Sequence, residues 1–125
     1  MEDLRRKFTN ERLSEWEEKM PNELERDAIG LWQIIPALKY DFGLTGEKLI
    51  LHVKKNVARL IELGARPVTG APQDDERYWI VLDNYGKSPN EVAERIVEDW
   101  INSGKDPDFG DVWFARKSIY ELTNN

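Results

Sequence analysis

Between Ser88 and Gly104 the chain reads SPNEVAERIVEDWINSG, and this stretch admits one local structure. Ser88 is a strong N-cap, Pro89 suits the first helical position, and Glu91 completes a capping box. Val92, Ile96 and Trp100 recur at i,i+4, with Ala93, Val97 and Ile101 in the adjacent row. Gly104 stands where a left-handed residue ends a helix. An amphipathic helix with both ends punctuated must have its apolar stripe covered, so the rest of the chain has to fold around it.

A second helix of the same kind is expected from Gly46 to Leu63. Thr45 can cap it, Glu47 sits in its favourable first turn, and Gly64 follows its last residue. Leu49, Val53, Val57, Leu60 and Ile61 form its buried stripe, helped by Ile50 and Ala58, while Lys54, Lys55 and Arg59 mark a wet side. Upstream, residues 2–20 read as a highly charged helix, in one or two pieces, anchored by Trp16. Pro21 and Asn22 interrupt it. Leu24, Ala28, Leu31, Ile35 and Leu38 then recur at helical spacing, widened by Trp32 and Ile34, with a kink or break expected from Pro36 near Trp32 to Ile35. DFGLTG supplies a turn at Gly43. Its first three letters match the kinase magnesium motif, but the catalytic loop and glycine-rich loop that belong with it are missing.

The strand signals are fewer. ARPVTGAPQDDE is a loop with a short strand at Pro67–Thr69. RYWIVL, Arg77 to Leu82, is aromatic and β-branched and reads as a strand buried on both faces. DVWFA reads as another, and the tail RKSIYELTNN either extends it or forms a last helical turn. The fold class is therefore α+β: one helix-rich domain over residues 1–125, with about four helices and a small sheet of two or three short strands, residues 1–20 packing loosely.

Composition agrees with a packed domain. The 125 residues are 40% apolar and include five tryptophans, which provide large, rigid core pieces. There is no cysteine, which removes disulfides, Cys-ligated zinc and thiol nucleophiles. No stretch approaches transmembrane length and the N-terminus has no apolar leader, so a soluble, cytoplasmic protein is expected. The net charge is −6 and unevenly placed. Residues 1–65 hold 12 acids and 11 bases, whereas residues 66–125 hold 12 acids and 7 bases. Such a surface repels phosphates, which disfavours nucleic acid as a direct ligand, and speeds encounter with a basic partner.

Two acidic groups stand out, Asp74–Asp75–Glu76 and Asp106–Asp108–Asp111. The second fails the EF-hand pattern. Counted from Asp106, Gly110 holds position five, Asp111 position six and Lys117 position twelve, where the loop needs an acid or amide, a glycine and a glutamate. Both groups are also ordinary turn composition. Read functionally, they anchor lysine or arginine on a protein partner. Neither a metal nor a cofactor is expected, although carboxylate chemistry with or without a divalent ion stays open, as does a structural or adaptor role. His52, the single histidine, lies inside the second helix with no nucleophile motif beside it, and reads as structural rather than catalytic. In a strand, Val112 and Phe114 face one way and Trp113 the other, which makes Trp113 a candidate contact residue.

The span LWQIIPALKYDFGL…VARLIELGARPV…YGKSPNEVAERIVEDWINSGKDPDFGDVWFA resembles small bacterial immunity proteins, in particular the partners of contact-dependent growth inhibition toxins. The closing segment, Trp100 to Ala115, carries most of that resemblance. It implies a protein without chemistry of its own that binds a basic toxin domain, a nuclease in many cases, and blocks its active site.

Overall fold

The structure is a computed structural model that describes residues 3–124. Its centre is the pair of long helices α3 (Gly46–Glu62) and α4 (Pro89–Ser103), packed against each other. Leu49, Val53, Val57 and Leu60 of α3 meet Val92, Ala93, Ile96 and Val97 of α4 in one core, each less than a tenth exposed. Burying a side chain of this kind contributes about 1.5–3 kcal/mol. α4 begins as its sequence dictates: the Ser88 hydroxyl accepts from the Glu91 N–H at 3.2 Å. The Glu91 carboxylate reaches one residue further than a capping box requires, to the Lys87 N–H at 3.3 Å. Gly64 and Gly104 end the two helices at φ 97° and 69°, where a Cβ would add strain. Thr45 occupies the N-cap of α3, but its hydroxyl makes no bond to the helix.

Around this pair stand α1 (Leu13–Lys19), α2 (Leu31–Pro36), the single turn α5 (Lys117–Tyr120) and four strands: β1 (Ile29–Gly30), β2 (Arg66–Gly70), β3 (Trp79–Val81) and β4 (Trp113–Ala115). The class is α+β, with one helix and one strand more than expected among the described residues. The sheet order is β1-β4-β2-β3 and every pairing is antiparallel. Ile29, Phe114 and Pro67 form one cross-strand row, and Gly30, Trp113, Val68 and Val81 the next. Because side chains alternate, the first row faces the helices and Phe114 is fully buried in their core. The second faces away. There Ala28, Val68 and Ala115 make a smaller cluster with Trp79, Val81, Trp113, Ile119 and Tyr120.

Three expectations need correction. The helix expected over residues 2–20 forms only at Leu13–Lys19; residue 2 lies outside the described residues. Before it, Phe8 and Asn10 adopt φ of 71° and 60°, and Arg5 bridges to Arg12, so the chain doubles back. This segment is tied down at Asp41, which accepts from Arg6 at 2.7 Å and from the Lys7 N–H through its carbonyl at 3.0 Å. The stripe Leu24 to Leu38 is interrupted, but not near Trp32 to Ile35, which lie inside α2. It breaks into a 3-10 segment (Met20–Glu25), β1, α2 and a π-helical turn (Ala37–Asp41). Pro36 has no N–H to continue the α ladder, and the Phe42 N–H then reaches back five residues to the Ala37 carbonyl at 3.1 Å. Third, β3 is an edge strand and half-buried rather than buried on both faces. Among the described residues, no helix is long and apolar enough to cross a membrane.

Candidate functional site

The antiparallel pairing brings three connections to one end of the sheet. Val68 sits opposite both Trp113 and Val81, so the β2–β3 hairpin turn (residues 71–78) projects beyond the same end as the 106–111 turn that leads into β4. Gly30 lies opposite Trp113 on the other side, which starts α2 at that end too, with the Leu31 N–H donating to the Val112 carbonyl at 3.0 Å. Both acidic groups singled out in the sequence therefore flank one edge of the molecule.

Between them runs a strip of aromatic rings. Phe109 meets Trp32 edge-on with centroids 6.4 Å apart, Trp32 meets Trp113 at 6.1 Å, and Trp113 meets Trp79 at 5.4 Å. Tilted and edge-to-face pairs at these separations are the favoured arrangement. The Trp113 indole N–H donates to the Phe109 carbonyl at 2.8 Å, which ties the acidic turn to the strand. Gly30 makes the packing possible. A Cβ there would stand 2.5 Å from Cδ1 and 2.6 Å from Nε1 of Trp32. Phe109 is 74% exposed, Trp32 37% and Tyr78 50%, so the strip opens to solvent. The sequence sets Trp113 on the face opposite Val112 and Phe114, and the structure makes that face the outer one. Trp32 reads from the sequence as the wide edge of a helix stripe and Phe109 as one of the core aromatics, whereas Phe109 stands exposed at the tip of a polar turn.

The acids divide into those already engaged and those that are not. Asp75 accepts the Arg77 N–H at 2.8 Å and its guanidinium at 3.0 and 2.7 Å. The Arg77 side-chain bonds, then its backbone bond, hold the Asp75 carboxyl down to about 2. Asp106 bonds Lys39 at 2.9 Å and the Tyr40 hydroxyl. The Tyr40 bond is the larger cause of its lowered pKa, Lys39 the next. Asp108 and Asp111 brace their own turn: the Gly110 N–H donates to Asp108 at 2.8 Å and the Asp108 N–H to Asp111 at 2.7 Å. The three aspartates thus point into different bonds, and among the described residues no three acids or histidines gather as a metal group. Asp74 is exposed, and Glu76 accepts from the Asn124 N–H through its carbonyl at 2.9 Å.

His52 belongs to a separate cluster on the far side of α3. Its Nδ1 lies 2.9 Å from Oε2 of Glu17, a carboxylate 8% exposed. Asn56 donates to the same oxygen at 2.6 Å, and Lys55 reaches the other at 3.3 Å. Glu17 is thus saturated by partners, as a buried charge must be.

No protein-family model, curated protein or solved structure matches this chain.

Proposed function

We propose that the chain is a non-enzymatic binding module, an immunity protein that neutralises a basic toxin domain, a nuclease, by covering its active site in the cytoplasm. The observation that carries this reading is the solvent-open strip Trp32–Phe109–Trp113 set between two acidic turns. Exposed aromatics of this kind have little reason to be grouped on a small domain unless a partner covers them. Tryptophan supplies much of the affinity at protein interfaces, and a surrounding negative field raises the rate of encounter with a positive partner. The resemblance noted in the sequence supplies the kind of partner, and the charge of the second half of the chain suits a cleft built to hold nucleic acid.

The test pairs the purified chain with the toxin domain encoded immediately upstream of its gene. Stoichiometric inhibition of that domain's activity is expected, with an association rate that falls as salt rises. Trp32→Ala and Trp113→Ala should each weaken the complex by about 2 kcal/mol or more. Full inhibition by a variant lacking both rings would refute the assignment of the strip, and an association rate indifferent to salt would remove the electrostatic part.

A further inference from the structure

Behind the 106–111 turn lies a cleft of about 180 Å³ that none of the roles above uses. Its floor is the main core: Leu31, Ile96 and Val112, all buried. Tyr85 and Trp100 also line it, and Asp99 and Asp111 stand among its polar residues. From these residues we infer that the cleft is a receptor for one arginine side chain of the partner. The inference rests on the protein-binding reading and names the chemical anchor of that complex.

Size is the first argument. Small-molecule sites occupy about 300–1,000 Å³, so a cleft of this volume suits a single side chain better than a metabolite. Chemistry is the second. An apolar floor with carboxylates at the mouth matches a side chain with a methylene stem and a charged head. Charge is the third. Asp106, also in the lining, is paired with Lys39 at 2.9 Å. Among the described residues, the Asp99 carboxylate accepts only the Tyr85 hydroxyl, at 3.0 Å, and the Asp111 carboxylate only the Asp108 N–H, at 2.7 Å. Each keeps a second oxygen for a further donor. Lys105 is the one cation among the described residues of the lining, so with Asp106 paired outside it, two carboxylates face one ammonium and the mouth stays negative. Tyr85 keeps its proton, held up at about 12 by burial first and the Asp99 bond second, and so directs its hydroxyl to Asp99 rather than adding charge. A planar guanidinium can bond two separate carboxylates and stack on an indole, whereas an ammonium is a point charge, which favours arginine over lysine.

The experiment titrates the whole chain with N-acetyl-arginine amide, N-acetyl-lysine amide and N-acetyl-norleucine amide, following the Trp100 indole N–H by NMR. The arginine probe should give a saturable shift in the millimolar range, and the norleucine probe none. Asp99→Asn, with an otherwise unchanged spectrum, should weaken the arginine probe about tenfold, as loss of one charge-assisted bond implies. Asp111→Asn, which keeps the acceptor for Asp108, provides a second variant with the same expectation. No saturable shift, an equal response to lysine or norleucine, or indifference to both variants would overturn the inference. Inhibition of the toxin domain separates the two readings. Wild-type inhibition with an undiminished Asp99→Asn variant refutes the arginine receptor and leaves the binding module standing. Absent wild-type inhibition removes both.

Discussion

Gly30→Ala offers the sharpest test of how the strip is built, because two opposing effects have known sizes. Gly30 has φ −88° and ψ 143°, an ordinary extended conformation. On backbone grounds alone, alanine there should stabilise the fold by about 0.4–1 kcal/mol by reducing the freedom of the unfolded chain. The added methyl, however, would stand 2.5 Å from Trp32 Cδ1, a separation that forces movement. Trp32 is 37% exposed, so its ring can swing outward before the backbone shifts. The loss is then its two ring contacts, with Phe109 and Trp113, at about 0.5–1.5 kcal/mol each. Set against the backbone gain, Gly30→Ala should cost roughly 0–2.5 kcal/mol. The coupling to Trp32 is more telling than the net value. In a Trp32→Ala background the clash is gone, only a 3.2 Å approach to Trp113 remains, and Gly30→Ala should become neutral or slightly stabilising. Urea unfolding followed by far-UV circular dichroism gives all four corners of the cycle, with an expected coupling of about 1–3 kcal/mol. A cost that is the same with and without Trp32 would refute the claim that Gly30 exists to admit that ring.

Three further predictions follow from single contacts. Asn56→Ala removes a donor from the buried Glu17 carboxylate and should destabilise the chain by about 2–4 kcal/mol; a loss below roughly 0.5 kcal/mol in urea unfolding would mean that the carboxylate finds another donor. Tyr85, held at about 12 by burial and Asp99, should ionise well above the ordinary tyrosine range in an ultraviolet titration. Its folded pKa is raised, so its contribution is intact below about 10 and lost as pH climbs to about 12; a titration curve unchanged by Tyr85→Phe above pH 11 would contradict this. Asp75, by contrast, has a depressed folded pKa, so its contribution is intact above about 4 and fades as pH falls to about 2. NMR titration of its carboxyl should show the midpoint return toward 3.8 in Arg77→Gln, and a midpoint that stays near 2 would show that the guanidinium is not the cause.

Elements whose reasons are local were legible in the sequence. α4 carries its cap, its first-turn proline and its terminal glycine within a short stretch, and it forms where they place it. In β4 the alternation of Val112 and Phe114 against Trp113 was legible, while the choice of face was not: the structure turns Phe114 inward and Trp113 outward. Elements whose reasons are distant were not. Ile29 and Gly30 form a strand because β4 lies beside them, and nothing near residue 29 announces a partner more than eighty positions away. The same distance hides the meeting of Trp32 with Trp113, and the convergence of Tyr85, Asp99 and Asp111 depends likewise on tertiary packing. The N-terminal segment misleads for another reason. A phenylalanine at φ 71° is rarely favourable, so pattern reading makes helix of a stretch that tertiary contacts to Asp41 fold back instead.

The placement of charge follows from topology more than from composition. An antiparallel sheet sends alternate connections to opposite ends, so residues far apart in sequence share an end when their strands are neighbours. Here the β2–β3 turn holds Asp74, Asp75, Glu76 and Arg77, and the turn before β4 holds Lys105, Asp106, Asp108 and Asp111. Each carries a net charge of −2, and both project from one end. The other end begins with Arg66, opposite Ala115 and ion-paired with Asp83, and Arg116, whose guanidinium donates to the Leu63 carbonyl at 3.0 Å. The two acidic turns thus gather at the end where the aromatic rings are open, and under the proposed function a basic surface would meet both there. Orientation and contact are supplied by the same few strand registers. A one-residue slip of β4 against its neighbours would bring Trp113 to the core face and disperse the strip, so its exposure depends on the register of the sheet.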